Sequence, residues 1–157
     1  KTQLYVATVT RTYRKAIDDY FEDESKYRNN IPYYLDEIKK CTHRKFTTGF
    51  YFKRPDENEQ IYNSNTYIRS YTFIGKVIEY NSAEQMVTIQ QRNKFCVGDE
   101  VEFMATDGEN YVTTIKEMWD EEGNLVESAP HPKQVIRFKI DKEFPKNTII
   151  RLKSKEF

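Results

Sequence analysis

The stretch that decides the fold is residues 67–92, YIRSYTFIGKVIEYNSAEQMVTIQQR. Its first half is rich in aromatic and β-branched residues, which favour strands. Its second half alternates between two faces, with Val87 and Ile89 on one face and Thr88 and Gln90 on the other. Residues 81–84 lie between the two halves and have the composition of a turn, so the stretch predicts an antiparallel hairpin. Gly75 interrupts the first strand and predicts a bend or bulge.

Short strand patterns continue to the end of the chain. They cover residues 100–105, 110–118, 134–140 and 148–153, and turn signals separate them at Gly98-Asp99, Asp107-Gly108 and Glu122-Gly123-Asn124. About six short strands without intervening helices are typical of a small barrel or sandwich. We therefore predict a mainly β fold, a small antiparallel β-barrel, over residues 66–157.

Residues 1–65 have a different character. Apolar residues recur at helical spacing over 5–21, and a second, shorter helix is predicted to begin near Pro32, after a polar loop at 22–30. Residues 42–65 are expected to form an irregular linker with an ordered core of aromatic side chains. Those side chains are Phe46, Phe50, Tyr51 and Phe52. The sequence thus predicts a helical segment and linker in front of the barrel.

The first helix carries a wide apolar stripe that must pack on something. We interpret it as the closing helix of a preceding domain, because the chain begins at Lys1 and reads as a piece of a longer protein. The alternative is that the helix lies on the barrel of this chain. The first interpretation leaves the stripe partly uncovered and predicts self-association. The stripe consists of Val6, Val9, Tyr13, Ile17 and Phe21.

Composition narrows the function. The chain has 25 basic and 25 acidic residues, so binding to nucleic acid would need a local patch. The two cysteines, Cys41 and Cys96, have no metal-ligand spacing, and no apolar run could span a membrane. We therefore expect a cytoplasmic chain with no membrane partner and no cofactor of its own. No nucleophile signature or phosphate loop appears, so we assign no catalytic or metal-binding residue.

One local patch does appear, at residues 39–54. It holds six lysines and arginines and no acidic residue, and aromatic residues are interleaved with them. Cations contact phosphates and aromatic faces stack on bases, so the patch predicts an RNA-binding surface. The alternative is that the aromatic side chains are buried and the cations form a solvated rim. The candidate residues are Lys40, His43, Arg44, Lys45, Thr48, Phe50, Lys53 and Arg54.

Two loops supply further candidates. Arg92 and Asn93 follow a predicted strand and could contact a partner, although a plain turn explains them as well. His131 lies between Pro130 and Pro132, which hold the chain extended and display the ring. The simpler role for that loop is a rigid crossing between strands.

The same residues carry a resemblance to a known family. Residues 34–40 (YLDEIKK), 42–52 (THRKFTTGFYF), 91–95 (QRNKF), 98–102 (GDEVE) and 129–134 (APHPKQ) closely resemble the C-terminal portion of the collagenase-like peptidases, family U32. The resemblance implies an upstream catalytic domain in the same protein and a C-terminal barrel similar to the second domain of elongation-factor GTPases. It also implies that some members bind an iron–sulfur cluster, with the cluster ligands mainly upstream.

The family is named for peptidases, but the resemblance implies that several of its members are proteins that hydroxylate tRNA wobble uridine. The preferred hypothesis is therefore an accessory domain that binds or positions tRNA for that hydroxylation. The second hypothesis is an accessory domain that binds a protein substrate of a peptidase. The third is a purely structural lid on the upstream domain. Residues 66–157 carry 13 basic and 15 acidic residues, so only the patch at 39–54 favours RNA.

Overall fold

A computed structural model describes residues 2–54, 67–106 and 108–154. Two helices come first, α1 (Gln3–Glu22) and α2 (Glu24–Lys39). Eight strands follow: β1 (Tyr71–Asn81), β2 (Met86–Gln91), β3 (Glu100–Met104), β4 (Asn110–Thr114), β5 (Met118–Trp119), β6 (Leu125–Val126), β7 (Val135–Lys139) and β8 (Ile149–Lys153). This confirms the prediction of a mainly β domain behind a helical segment. The boundary between residues 65 and 66 stays a prediction, because residues 55–66 lie outside the described residues.

The strands form one antiparallel sheet in the order β4-β3-β8-β1-β2-β7-β5-β6. Phe103 in β3 and Phe138 in β7 lie four strands apart in this order, or about 19 Å across a flat sheet. Their ring centroids are nevertheless 6.2 Å apart. The sheet is therefore strongly curled around a single core. Within the described residues β4 and β6 remain edge strands, so the curled sheet is not closed into a barrel.

The bend predicted at Gly75 is present. The register of β1 shifts between Phe73 and Gly75 against β8, and again between Val77 and Glu79 against β2. A Cβ atom at Gly75 would lie 2.8 Å from the carbonyl oxygen of Gln90. Only glycine allows the neighbouring strand to approach this closely, and the resulting bulge helps the sheet to curl.

The predicted turns at Gly98-Asp99 and Glu122-Gly123-Asn124 are also confirmed, whereas Asp107 of the predicted Asp107-Gly108 turn lies outside the described residues. Gly98 has φ +87°, a left-handed conformation that glycine adopts without strain. Asp99 then closes the turn, because its carboxylate accepts a hydrogen bond of 2.8 Å from the backbone N–H of Cys96. The prediction of one strand over 110–118 was wrong. It divides into β4 and β5, and β5 forms a short hairpin with β6 around Gly123.

The prediction of a loop at residues 22–30 was wrong. Only Asp23 separates the two helices, and its carboxylate accepts a hydrogen bond of 2.8 Å from the N–H of Ser25. The polar residues that suggested a loop form ion pairs one turn apart, for example Arg28 with Glu24. Such pairs stabilise a helix. Pro32 consequently lies inside α2 and not at its first position.

The helix pair packs on the sheet, as the alternative interpretation of α1 proposed. The side of α1 that faces inward is mainly polar and includes Thr8, Thr12 and Asp19. Much of the apolar stripe faces outward, and Phe21 is 82% exposed. The preferred interpretation, a preceding domain that covers this stripe, stays a prediction.

Candidate nucleic-acid interface

A buried ion cluster fixes the helix pair on the sheet. Glu37 of α2 accepts hydrogen bonds of 3.0 and 2.9 Å from Nη2 of Arg151 in β8. The same carboxylate accepts from Nη2 of Arg11 at 2.7 Å and pairs with Nζ of Lys40 at 2.6 Å. Glu102 of β3 accepts from Nε of Arg151 at 2.9 Å. Glu37 and Arg151 are almost completely buried, so the cluster sets the position of the C-terminal end of α2.

The electrostatics of the cluster keep Glu37 charged. Burial opposes its ionisation, but the attraction of Arg151 and the hydrogen bond from Lys40 outweigh that effect and lower its pKa to about 2. In Lys40, burial likewise opposes the charged form, and the hydrogen bond to Glu37 raises the pKa above its ordinary value. Lys40 was a candidate RNA contact, but its ammonium group is engaged by carboxylates of the cluster.

The basic–aromatic segment, residues 39–54, starts at the end of α2 and leaves the cluster in an extended path. Cys41 is buried and its thiol donates to the carbonyl oxygen of Ile38 at 3.1 Å. Backbone hydrogen bonds of 3.1 and 2.8 Å then join His43 to Ile68, three residues before β1 begins. The start of the segment is thus fixed to the start of the first strand.

The aromatic side chains of this segment are exposed. Phe46 is 55% exposed, Phe50 79%, Tyr51 85% and Phe52 78%. The expectation that they form an ordered core was wrong, because all four side chains are more than half exposed. The alternative in which these aromatics are buried therefore does not hold.

Aromatic rings and cations alternate along the segment. The ring of His43 stacks on Phe46 with centroids 4.4 Å apart, and its Nδ1 lies 2.6 Å from the carbonyl oxygen of Arg44. The guanidinium of Arg44 lies 4.9 Å from the ring centre of Tyr67. The remaining candidates of the segment, Lys45, Thr48, Lys53 and Arg54, are exposed.

A groove of about 400 Å³ runs beside the segment. One wall is apolar and comes from the helices, with Val9 and Ile38 among its residues. The other wall contains His43, Arg44 and Lys45 of the segment. An apolar wall facing a basic one suits a ligand that has both flat rings and negative charge.

The second group of candidates lies at the end of the sheet where β1 begins. The side-chain amide of Asn93 donates to the carbonyl oxygen of Phe73 at 2.7 Å, and the N–H of Arg92 donates to Ile74 at 2.7 Å. The side chains of Arg92 and His131 are exposed. The His131 loop is joined to the end of β2, where the N–H of Lys133 donates to Gln91 at 3.1 Å.

These loops and the segment are connected through a short piece of chain. His43 is paired with Ile68, and Asn93 is bonded to Phe73. The five residue-to-residue steps from Ile68 to Phe73 can span at most about 18 Å. The loop that contains Arg92 and Asn93 therefore lies near the start of the basic–aromatic segment.

Sequence reasoning missed the residues that organise this region. Glu37, Glu102 and Arg151 looked like ordinary solvated charges of a helix or a strand. Their one sequence signal is that Glu102 and Arg151 each lie between core residues of a strand, on its outward face. Tyr67 was missed because it was counted only as a strand former.

Comparison with known proteins identifies the family of this chain. Residues 69–151 match the peptidase family U32 C-terminal domain, and residues 1–61 match peptidase family U32. The first match covers more than half of the chain. The chain therefore belongs to peptidase family U32, which confirms the family inferred from the sequence motifs.

Individual relatives show which members of the family the chain is similar to. The chain is 42% identical to tRNA hydroxylation protein P1 of Bacillus subtilis over 91% of its own length. It is 27% identical to tRNA hydroxylation protein P of Escherichia coli over 83% of its length. The crystal structure of the C-terminal domain of a U32 peptidase from Geobacillus thermoleovorans superposes with a TM-score of 0.50. That structure shares 38% identity and covers 52% of this chain and 92% of its own. The chain spans 34% and 28% of the two curated relatives, about a third of their length.

Within the described residues, no group of histidine, cysteine and carboxylate side chains could hold a metal ion. Cys41 and Cys96 are both unpaired thiols. Neither described helix is long and apolar enough to cross a membrane.

Proposed function

We propose that this chain binds and positions tRNA for a U32-family protein that hydroxylates the wobble uridine. The observation that carries the proposal is the exposure of the basic–aromatic segment, where the aromatic run 50–52 lies between two pairs of cations, Arg44-Lys45 and Lys53-Arg54. Exposed aromatic side chains are costly in water unless a partner covers them. The names of the relatives, which are tRNA hydroxylation proteins, agree with this choice of ligand.

The chemistry of hydroxylation is expected to lie outside this chain. The described residues offer no ligand set for an iron–sulfur cluster, since the Cys41 thiol is bonded to a backbone carbonyl at the end of the helical region and Cys96 lies far from it in sequence, in an isolated β-bridge with Ser128. We propose that any such cluster is bound by the upstream domain of the same protein. The contribution of this chain would be to hold the RNA in place.

Salt dependence of binding to a tRNA anticodon arm tests the proposal. The variant replaces four cations by glutamine at once: Arg44, Lys45, Lys53 and Arg54. This change should reduce the slope of log affinity against log salt. Each lost phosphate contact removes about 0.7–0.9 from that slope. The matched control replaces four exposed lysines elsewhere on the surface, Lys116, Lys139, Lys142 and Lys153, and should leave the slope unchanged.

The aromatic contribution can be measured separately. Because Phe50 is exposed, Phe50→Ala should change the free energy of unfolding by less than about 0.5 kcal/mol. It should weaken RNA binding by about 1–3 kcal/mol if a base stacks on the ring. Val112→Ala, at an exposed apolar side chain of β4, is the control.

A peptide ligand separates the alternatives. Denatured collagen should not compete with the anticodon arm. Tight binding to collagen that is insensitive to salt, with none to RNA, would favour the accessory domain of a peptidase. Binding to neither ligand would favour a structural role.

A further inference from the structure

A second groove lies on a different face of α1 from the groove beside the basic–aromatic segment. It consists of two adjoining cavities of about 530 and 480 Å³ between α1 and the loop that precedes β8. The two cavities share four lining residues, so they form one continuous groove. The shared residues are Ala7, Thr10, Asn147 and Ile149.

The lining of this groove is basic and polar around an apolar floor. No lining residue is acidic among the residues that the structure describes. Lys76 and Lys146 lie at its rim, and within the described part of the chain neither has a carboxylate at ion-pair distance. Two other lining cations are already neutralised, since Arg14 pairs with Asp18 and Arg11 pairs with Glu37. We call this surface the lysine groove, after Lys76 and Lys146.

The rim of the lysine groove is held in a fixed geometry. Nζ of Lys76 donates to the side-chain oxygen of Asn147 at 3.3 Å. Asn147 adopts the left-handed conformation, with φ +72°, and its N–H donates to the carbonyl oxygen of Val77 at 2.8 Å. The loop that carries Lys146 is therefore attached to the same strand that carries Lys76. Both lysines thus line the groove on connected pieces of backbone.

The two grooves flank the first turns of α1. Tyr5 and Val9 line the groove beside the basic–aromatic segment, whereas Val6 and Thr10 line the lysine groove. Successive residues of a helix point about 100° apart, so the two grooves lie on different faces of the same helix. An RNA strand that lies across α1 could contact cations on both sides.

We propose that the lysine groove is a second phosphate-binding site, which takes the backbone of the same RNA that contacts the basic–aromatic segment. Charge complementarity carries the choice of ligand, because Lys76 and Lys146 have no carboxylate at ion-pair distance, and the groove has no acidic lining residue, within the described part of the chain. Phosphates of a polynucleotide match such a surface without requiring a particular base. The proposal rests on the proposed function, that the chain binds tRNA.

The test uses the 157-residue chain, a tRNA anticodon arm, and the paired change Lys76→Gln and Lys146→Gln. The slope of log affinity against log salt should fall by about 1.4–1.8, the value for two lost phosphate contacts. The matched control, Lys116→Gln with Lys139→Gln, removes the same charge from other strands and should leave the slope unchanged. Lys76→Arg with Lys146→Arg should retain the wild-type slope, which separates loss of charge from a change in the fold.

The outcomes distinguish this inference from the proposed function. One outcome is that neutralising the basic–aromatic segment lowers the salt slope, whereas the lysine-groove variant has the same slope as its control variant. In that case the inference is wrong and the proposed function stands. If neither change affects RNA binding, both are wrong. A polyglutamate peptide that binds wild type and loses affinity in the lysine-groove variant, while RNA affinity is unchanged, would assign the groove to an acidic protein segment and overturn the inference.

Discussion

Glu37 is the residue on which the geometry of the helical region depends. Its carboxylate lies among three cations, Arg11, Lys40 and Arg151, and also accepts a hydrogen bond of 2.8 Å from the amide of Asn110. Removing one partner from a buried ion pair leaves an uncompensated charge, which costs more than the pair contributes. In this cluster, loss of Glu37 would leave three cations close together.

The substitution Glu37→Gln should therefore lower the free energy of unfolding by about 3–5 kcal/mol. Urea denaturation measures this change in the free energy of unfolding. Asp36→Asn is the matched control, because the neighbouring carboxylate is exposed and its contact with Lys40 is 3.5 Å long. That control should cost less than about 1 kcal/mol. Equal effects of the two changes would contradict the central role of Glu37.

Acid should weaken the same cluster. The pKa of Glu37 falls from an ordinary value of 4.5 to about 2 in the folded protein. The folded state thus binds fewer protons than the unfolded state between these values. The contribution of Glu37 is complete above about pH 4.5 and is lost as the pH falls towards 2. The free energy of unfolding of Glu37→Gln should therefore depend less steeply on pH in this range than that of wild type. Parallel pH profiles of the two proteins would argue against this contribution.

At the scale of the element, α1 is oriented with its polar residues inward. Thr8, Thr12 and Asp19 are buried, whereas Tyr13 and Ile17 are about half exposed and Phe21 is largely exposed. Asp19 is tolerated inside because the hydroxyl of Tyr34 donates to it at 2.6 Å. Burial opposes the ionisation of Asp19, but the hydrogen bonds from Tyr34, Asn30 and Lys26 outweigh it and lower its pKa to about 2. The apolar face that this orientation leaves exposed is available to another surface.

We expect that face to cause self-association of the chain. Apolar area removed from water contributes about 25 cal/mol per Å², so exposed stripes on two copies should attract each other. Light scattering should show a mass that rises with concentration, and Ile17→Gln with Phe21→Gln should reduce the rise. Neither change should alter the free energy of unfolding appreciably, since both side chains are exposed. A constant monomer mass for wild type would contradict this prediction.

At the scale of the whole molecule, polar contacts join the helix pair to the curled sheet. Arg11 donates to the carbonyl oxygen of Ala105 at 3.1 Å, and Lys15 pairs with Glu109 at 3.4 Å. The hydroxyl of Tyr33 donates to the carbonyl oxygen of Gly108. Together with the ion cluster, these contacts make the helices and the sheet one structural unit.

This coupling can be observed with two probes. Trp119 is the one tryptophan of the chain and lies in β5, so its fluorescence reports on the sheet, whereas helical ellipticity reports on α1 and α2. In wild type the two urea transitions should coincide, as expected for a single cooperative unit. In Glu37→Gln the helical transition should occur at lower urea concentration than the fluorescence transition. Separate transitions already in wild type would show that the ion cluster does not couple the two parts.

The sequence by itself determined the local features of this protein. Aromatic and β-branched residues located β1, alternation located β2, the Gly98-Asp99 turn was identified from its residue types, and Gly75 marked the bulge. These features depend on backbone preferences and side-chain periodicity over a few residues, which are present in the sequence. The family also followed from local motifs, because residues 42–52 and residues 129–134 are each one continuous stretch of sequence.

Only the tertiary structure decided which surfaces are covered. Periodicity showed that α1 has two faces, but the inward one is set by Arg11 and by its contact with Glu37, far away in sequence. Glu102 and Arg151 became buried because a helix covers the outward face of their strands, and Phe50 remained exposed because nothing described packs on it. Burial depends on what a distant segment brings to a side chain, and one-dimensional spacing does not contain that information.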